Sequence, residues 1–492
     1  MSTIPADPTT VSAGESTRIP LGTRLAYGFG SVAYGVKNNG FDYFLLLFYS
    51  QVVGLDARLV GIALTTALVF DAVSDPVVGY WSDNTRSRWG RRHPFMYASA
   101  VPVALSYFLL WNPPELGETG LFWYLLVCAV SIRTFITAYE TPSSALAPEL
   151  TERYEERSSL LSFRYYFGWT GGNLMSVFMF VLIFPAFVTD TISDGRFNPE
   201  AYALYGVIGS LLILLSILVS AGGTHSYIPR LKSPPGKRVL TPRQVLGELV
   251  ETLSERSFIA LFSAALFAAV ASGLSAALTF FFWTYFWGFS SEQSGALTTG
   301  VFISAIIGTV LAPIVTRTLG KKRGAMIIGL IAFLGAPLPI MLRLAGLLPE
   351  NGDPFVFWFV AITTVVDTGL IICFQVLFSS MIADLVEQSE LQTGRRSEGT
   401  FFSAVTFIRK SVQGLGVLAA SFVLFLAGLE SGAAADDVTP EALQRLGLYY
   451  VPSILVLWLT MMAIISRYDL DQAKHEANLA ALAERAARSE SN

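Results

Sequence analysis

Long apolar runs separated by short polar connections occupy most of this chain. Twelve of them are long enough to cross a bilayer, because a hydrocarbon core of about 30 Å needs about 20 apolar residues in a helix. The pattern therefore predicts an all-α membrane protein with twelve transmembrane helices. We place the spans at 24–52, 58–82, 94–112, 121–148, 159–188, 201–222, 257–287, 296–316, 324–346, 354–386, 399–429 and 447–466.

The longest polar interruption divides these spans into two sets of six. It predicts two six-helix bundles, at 24–222 and 257–466, joined by a central loop at 223–256 and flanked by tails at 1–23 and 467–492. The first tail lacks a short apolar segment with a cleavage site, so the first span would act as an uncleaved signal.

The positions of Lys and Arg predict the orientation of the bundles. Connections after even-numbered spans hold eighteen of these residues, against four in the other connections. Because positively charged connections stay in the cytoplasm, we expect both tails and the central loop there. The chain would be a multi-pass protein of the cell (inner) membrane, with the lipid bilayer around it.

Composition supports a membrane protein and excludes several other classes. Of 492 residues, 53% are hydrophobic and 14% are charged, and the mean hydropathy is +0.53. The net charge of -4 indicates no nucleic acid partner. Cys128 and Cys373 lie within apolar runs and the three histidines lie far apart, so we expect neither a disulfide framework nor a histidine metal site. Nothing in the sequence indicates a cofactor or an obligate protein partner.

Two carboxylates stand out inside the second apolar run. Asp71 and Asp75 are spaced i and i+4, so they share one helix face with Ser74 beside them. A charged side chain at membrane depth costs a few kcal/mol. Because such a residue is rarely kept without a function, it indicates a pathway for an ion or a proton. In the alternative interpretation, one Asp lies near a helix end and pairs with a buried Lys or Arg.

Further polar residues interrupt the apolar runs of both halves. A shared central cavity would satisfy all of them, whereas the alternative is a set of separate buried pairs that fix helix register. The residues are Lys37, Asn38, Asn39, Asp42, Arg133, Thr137, Glu140, Thr141, Arg164, Asp367, Gln375, Thr406, Arg409 and Lys410.

Two other segments carry a structural expectation. The aromatic run from Thr279 to Trp287 is typical of lipid-facing, interfacial anchoring, although one face of it could gate a cavity. The segment from Asp83 to Arg92 suits a tight turn whose cations pair with acids on neighbouring helix ends and hold a cytoplasmic gate shut. Positive-inside topology alone would also account for the cations of that segment.

Several short motifs occur in the order found in one known family. The motifs are Tyr27-Gly28-Phe29-Gly30, Val52-Val53-Gly54-Leu55, Asp71-Ala72-Val73-Ser74-Asp75-Pro76, Thr85-Arg86-Ser87-Arg88-Trp89-Gly90, and Ala383-Asp384 with Thr393-Gly394-Arg395-Arg396-Ser397-Glu398-Gly399. In these motifs the sequence resembles the glycoside-pentoside-hexuronide:cation symporters, the melibiose-permease-like branch of the major facilitator superfamily. The resemblance implies the major facilitator fold and alternating access around a midplane site.

The resemblance also implies roles for residues at matching positions. It places Asp71, Ser74, Asp75 and Thr137 at the site of the coupling cation, with Lys410 nearby. If that cation is Na⁺, Asp71 and Asp75 are its metal ligands; Li⁺ and H⁺ stay open. Glu140, Arg164 and Thr406 match sugar-pocket positions. This chain departs from the melibiose permease at Ser74, where the family member has Asn, and at Gly35, Ser144 and Gln375, where it has Asp, Trp and Trp, so a galactoside pocket is not supported.

These observations predict a secondary active transporter that couples a cation, Na⁺ or H⁺, to symport of a sugar or sugar derivative. Two close carboxylates disfavour double ionisation unless a cation lies between them, so the cation would favour the substrate-binding arrangement. Cations facing the cavity would suit a glycoside that is anionic, such as a uronide. The expected substrate-binding residues are Lys37, Glu140, Arg164, Gln375, Thr406, Arg409 and Lys410.

Two alternatives come from other classes of protein. An intramembrane prenyltransferase also uses an Asp-x-x-x-Asp pattern to bind Mg²⁺ and diphosphate, but it needs a second acidic cluster that this sequence does not supply. Asp384 and Glu387 lie at a helix end and belong to the family motif. A lipid-handling carrier on the same fold is the other alternative. We expect a transporter and not an enzyme.

Overall fold

The computed structural model describes residues 19–151, 154–230, 256–393, 398–433 and 438–467. For 383–393 and 398–411 it describes the helix and not the side chains. Most of the two tails and most of the central loop lie outside the described residues, as does the boundary that we predict between the halves.

The first half is a series of long helices, with a broken first segment. Its helices are α1 (Leu21–Phe29), α2 (Val32–Asn39), α3 (Leu45–Leu47), α4 (Ala57–Asn84), α5 (His93–Leu110), α6 (Glu118–Leu150), α7 (Tyr154–Phe178), α8 (Phe184–Ala186) and α9 (Pro199–His225). Wider π turns at Gly40–Phe44, Phe48–Val52 and Met179–Ile183 connect some of them, and short 3-10 turns lie at Gly195–Phe197 and Ile228–Arg230.

The second half repeats this arrangement. Its helices are α10 (Arg256–Phe281), α11 (Ser291–Leu319), α12 (Lys321–Gly335), α13 (Leu338–Leu344), α14 (Pro354–Thr393), α15 (Glu398–Ala427) and α16 (Pro440–Ser466), with a π turn at Phe282–Phe286 after α10. Pro337 separates α12 from α13, because proline lacks the amide hydrogen that would continue the helix.

Local sequence explains where several of these helices begin. The carboxylate of Asp56 accepts a hydrogen bond from the amide of Arg58 at the start of α4. Asn198 precedes Pro199 and caps α9, and Thr439 precedes Pro440 and caps α16. Ser290 and Gln293 form a capping box at α11. These caps satisfy amide groups that would otherwise lack a partner at the membrane surface.

The helices confirm an all-helical, multi-pass membrane fold. Among the described residues, ten helical segments are long and apolar enough to cross a membrane. The first predicted span corresponds to the broken segment from α1 to Phe48–Val52, and the eleventh falls on α15. The exact number of twelve spans stays a prediction.

The two halves pack against each other along three lines. Helix α4 contacts α15, α7 contacts α11, and the π turn Gly40–Phe44 contacts α10. The Thr65 hydroxyl donates to the carbonyl oxygen of Gly414 at 2.8 Å, which joins α4 to α15. Large apolar side chains such as Val101, Ile306 and Trp358 are exposed on the outside, as expected for a surface that faces lipid.

The aromatic run at the end of α10 is buried, so the expectation of a lipid-facing anchor is wrong. Phe280 to Phe286 lie in the interior, with Phe282 against Tyr450 of the second half and Phe280 against the first half. The ring of Phe280 lies 4.8 Å from the ring of Phe44 and 4.7 Å from that of Phe180. The run closes the interface between the halves, and Trp283 and Trp287 line the cavity described below.

Gly35 allows α2 to lie against α7 without a gap. A β-carbon at position 35 would lie 1.9 Å from the carbonyl oxygen of Gly168, so no side chain fits there in this packing. The family position that holds an acid in the melibiose permease therefore serves helix contact in this chain.

We expect Gly35→Ala to lower the free energy of unfolding by about 1–3 kcal/mol, because overpacking forces the two helices apart. Gly222→Ala is the matched control, since no atom lies within 4 Å of a β-carbon at Gly222 in α9. That variant should be neutral or slightly more stable, because alanine is the better helix former. Detergent unfolding measured by circular dichroism checks both, and equal stability of the two variants would contradict the close contact.

Candidate functional site

A central cavity of about 1030 Å³ lies between the two halves. Its lining differs from one half to the other. The first half contributes ionisable and amide side chains, namely Lys37, Asn38, Asn39, Asp42, Asp71, Arg133, Glu140, Arg164 and Asn173. The second half contributes mainly apolar, aromatic and threonine side chains, with Asp367 and Gln375 among them. Nine of the fourteen polar residues that the sequence analysis assigned to a shared cavity line this one, whereas Thr137 and Thr141 do not.

The carboxylate pair of α4 meets a threonine of α6 beside this cavity. The Thr137 hydroxyl oxygen lies 2.8 Å from Oδ1 of Asp71 and 2.8 Å from Oδ1 of Asp75. Asp71 and Thr137 are buried, and Asp75 is partly buried. Three of the four residues predicted for the cation site thus come together.

Ser74 has a different orientation from the other three. Its hydroxyl donates to the main-chain carbonyl oxygen of Asp71 at 3.0 Å, within its own helix. The hydroxyl oxygen keeps lone pairs that could still face a cation. Its role stays a prediction, as do the roles of the other site residues.

Arg133 completes this cluster. Its guanidinium Nη1 lies 3.3 Å from Oδ2 of Asp71, in a buried ion pair, and the guanidinium also lies 5.0 Å from the ring centre of Phe41. The sequence indicated Arg133 as a buried cation without giving it a partner. Its spacing of four from Thr137 on α6 was the available signal, because it puts both residues on one face.

Arg164 forms a second polar cluster on the cavity wall. Its Nη1 donates to the Ser143 hydroxyl at 3.0 Å and to the Tyr27 hydroxyl at 3.3 Å, and Nη2 donates to Ser144 at 2.8 Å. The guanidinium also lies over the rings of Tyr27 and Tyr34. The site position that departs from the melibiose permease, Ser144, therefore holds Arg164 in place.

The structure describes the side chains of only some of the other residues that we predict to bind substrate. Lys37, Glu140 and Gln375 line the same cavity as Arg164. The Nζ of Lys37 lies 5.9 Å from the ring centre of Phe41. Thr406, Arg409 and Lys410 lie on α15, and their side chains are outside the described part of the chain.

The cations after α4 pair with acids on neighbouring helix ends, as predicted. Arg91 and Arg92 contact the carboxylate of Glu149 at 2.6 and 3.1 Å, and Arg92 also contacts Asp83 at 2.5 Å. These pairs join α4, α5 and α6 of one half. A gate between the halves at this end stays a prediction.

The halves are joined at the opposite end by a buried arginine. We call this group the Arg196 cluster; it comprises Asp194, Arg196, Thr284, Phe289 and Ser294. Arg196 pairs with Asp194 of its own half, and its Nη2 donates to the carbonyl oxygen of Phe289 at 2.8 Å. Its Nη1 donates to the hydroxyls of Thr284 at 2.9 Å and Ser294 at 3.4 Å.

Two more contacts between the halves lie beside this cluster. The Tyr285 hydroxyl donates to Gln51, and the amide of Gly432 donates to the carbonyl oxygen of Ser50 at 2.8 Å. Apart from the bond between Thr65 and Gly414, these are the described hydrogen bonds between the halves. Among the described residues, most hydrogen bonds between the halves therefore lie at the end of the bundle where Arg196 lies.

Two helical halves, a polar cavity between them and a buried carboxylate pair beside it define a membrane transporter. The chain belongs to the MFS/sugar transport protein family, whose model matches residues 26–472. This confirms the family resemblance seen in the motifs. It also confirms that the protein is a transporter and not a prenyltransferase.

Relatives of similar length support this assignment. An uncharacterized symporter of Synechocystis is 27% identical, with 83% of this chain and 84% of that protein covered. The sodium-dependent lysophosphatidylcholine symporter 1 of Gallus gallus is 24% identical over 94% of this chain and 89% of its own. The isoprimeverose transporter of Lactiplantibacillus pentosus is 22% identical over 88% and 85%.

Solved structures show the same fold. A D-xylose–proton symporter superposes with a TM-score of 0.57 at 15% identity, covering 89% of this chain and 96% of its own. A bacterial homologue of the lysosomal transporter Spinster superposes with a TM-score of 0.60 at 14% identity, covering 94% and 97%. The major facilitator fold expected from the sequence is confirmed.

Proposed function

We propose that this protein is a cation-coupled symporter of a sugar or sugar derivative that works by alternating access. The observation that carries the proposal is the position of Thr137, whose hydroxyl oxygen lies 2.8 Å from both Asp71 and Asp75. A hydroxyl has one proton and can donate to only one of these carboxylates. A cation or a proton bound between these oxygen atoms would stabilise the second close contact.

The carboxylate pair favours a cation between its two members. Asp71 and Asp75 carry two negative charges when ionised, and Arg133 pairs with Asp71 at 3.3 Å. Two carboxylates this close disfavour double ionisation unless a positive charge lies between them. One Na⁺ or one H⁺ would supply that charge. The sodium dependence in the name of the Gallus gallus relative supports Na⁺.

Neutralisation would couple the ion to the substrate. Arg133 lies in the cavity lining as well as in the pair with Asp71, so the carboxylate pair and the cavity share a residue. A cation that changes the position of Arg133 would change the cavity wall, and by thermodynamic linkage the substrate would change cation affinity equally.

The cavity and the relatives support a class of substrate. The name of the isoprimeverose transporter and the description of the family support a sugar. A uronide would place its carboxylate at Arg164, which presents a planar set of donors to the cavity. The described lining contains three cations, Lys37, Arg133 and Arg164, and four acids, so the preference for a uronide also depends on Arg409 and Lys410.

Uptake into liposomes tests the proposal. Labelled neutral and acidic sugars are offered with and without a Na⁺ or H⁺ gradient to the native chain, Asp75→Asn and Asp190→Asn. We expect gradient-driven uptake in the native chain and its near-complete loss in Asp75→Asn, because the amide removes the charge that the cation neutralises. Asp190 lies in an exposed loop, so Asp190→Asn changes the net charge equally and should transport normally.

Two results would contradict parts of this proposal. Full gradient-driven uptake by Asp75→Asn would remove the carboxylate pair from coupling. Uptake of a neutral glycoside as strong as that of its uronic acid would contradict the uronide as the substrate. If no sugar moves under any gradient, the sugar proposal itself fails.

A lipid-handling carrier is the second candidate, and a specific observation favours it. The second half lines the cavity with Trp283, Trp287, Phe333, Phe374 and Trp458, an apolar wall that a sugar alone would not need. The Gallus gallus relative is named as a lysophosphatidylcholine symporter. Na⁺ uptake stimulated by a lysolipid and not by any sugar would establish this function in place of sugar symport.

A further inference from the structure

Asp367 is the ionisable residue that the second half contributes to the described cavity lining. It lies near the middle of the membrane-crossing part of α14, Pro354–Ile382, and is only 9% exposed. One face of α14 lines the cavity, with Thr364 one turn before Asp367 and Gln375 two turns after it. The carboxylate therefore faces the place where a substrate would lie.

Among the described residues, Asp367 has no counter-charge at ion-pair distance. Within the described part of the chain, no Lys or Arg forms an ion pair with its carboxylate and no side chain or amide donates a hydrogen bond to it. The sequence analysis gave a buried ion pair as one alternative for this residue. The described structure shows no such pair for Asp367 on α14. A buried carboxylate without a partner is costly, so a retained one indicates a ligand that supplies the missing donors.

The opposite wall confines the carboxylate. A β-carbon at Gly335 would lie 2.5 Å from Oδ1 of Asp367, so the side chain packs against the bare backbone at the end of α12. The helix breaks there, at Ala336 and Pro337, and Ala336 also lines the cavity. The absence of a side chain at Gly335 leaves the carboxylate room to face the cavity.

We propose that Asp367 is a substrate-recognition residue of the second half, which accepts hydrogen bonds from hydroxyl groups of the transported sugar. A carboxylate accepts and cannot donate, so it selects a polyhydroxylated group and repels a carboxylate. An acidic sugar would consequently place its acid group toward Arg164 and its hydroxyl groups toward Asp367. This inference rests on the proposed sugar symport. It means that the second half of the protein, as well as the first, contacts the sugar.

Binding measurements on the purified full chain test this role. Isothermal titration with the sugars of the uptake panel, and separately with NaCl, is carried out on the native chain, Asp367→Asn and Asp190→Asn. We expect Asp367→Asn to bind the transported sugar about tenfold to a hundredfold more weakly, because hydrogen bonds to a charged group are lost. Na⁺ affinity without sugar should be unchanged, because Asp367 is not part of the Asp71–Asp75 cluster.

A second variant guards against simple misfolding of the first. Gly335→Ala keeps the carboxylate and places a methyl group against it, so it should also weaken sugar binding while Na⁺ binding is retained. Unchanged sugar affinity in Asp367→Asn would overturn the inference and leave sugar symport intact. Loss of Na⁺ binding with normal sugar affinity would make Asp367 a cation ligand and also overturn it. If the native chain binds no sugar, both this inference and the proposed function fail.

Discussion

An Arg133→Met variant is expected to lose cation-dependent transport and much of its stability. Arg133 pairs with Asp71 inside the protein, where both side chains are almost fully buried. Removal of one member of a buried ion pair typically costs about 3–5 kcal/mol. The variant would also have a more negative cation site, so its affinity for the cation and the rate of cation release would change.

A double variant separates the two effects. Arg133→Met with Asp71→Asn removes both charges of the ion pair and should regain most of the lost free energy of unfolding, because neither member of the pair is left without the other. It should not regain gradient-driven uptake, since Asp71 would no longer serve the cation. Detergent unfolding and liposome uptake measure the two quantities. A stable, fully active Arg133→Met single variant would contradict the importance of this ion pair.

An Arg196→Gln variant is expected to shift the protein toward the conformation that is open at the end where Arg196 lies. Arg196 donates three hydrogen bonds across the interface, to Thr284, Phe289 and Ser294. Hydrogen bonds from a charged donor contribute about 1.5–3 kcal/mol each, and glutamine can replace only part of them. The loss of a few kcal/mol is enough to change the populations of two conformations severalfold to a hundredfold.

Cysteine labelling can measure this shift. Ser272 lines the cavity, so Ser272→Cys in a chain without Cys128 and Cys373 reports access to it. A membrane-impermeant maleimide added on the Arg196 side should label the Arg196→Gln protein at least tenfold faster. Arg343→Gln is the control, because Arg343 bonds to Pro349 and Asn351 within its own half. Equal labelling rates for the two variants would contradict a role of the Arg196 cluster in holding this end closed.

The carboxylate pair shows what periodicity alone can predict. The spacing of Asp71 and Asp75 put them on one face of α4, and Thr137 lies against both. The pairing of Arg133 with Asp71 depends on how α4 packs against α6, and no pattern within either helix contains that information. The fold class could be predicted because the length of each apolar segment is enough, by itself, to indicate a membrane-spanning helix.

The aromatic run shows why other features could not be predicted. Seven of the nine residues from Thr279 to Trp287 are aromatic, so the pattern identifies no buried face, and composition favoured the lipid interface. In the fold these rings fill the contact between α10 and the first half. Asp367 presented the same difficulty, because the distinction between a buried pair and a cavity residue depends on its neighbours in space.

The partnership of Asp194 with Arg196 affects how easily the transporter can change conformation. Both residues belong to the same half, so the guanidinium keeps its carboxylate when the bonds to Thr284, Ser294 and Phe289 break. When this end of the protein opens, three hydrogen bonds between the halves are replaced by hydrogen bonds to water. The guanidinium of Arg196 stays paired with Asp194 throughout. The activation barrier of this step should therefore be modest. The contacts at this end can then close the cavity to solutes and still allow the protein to change conformation.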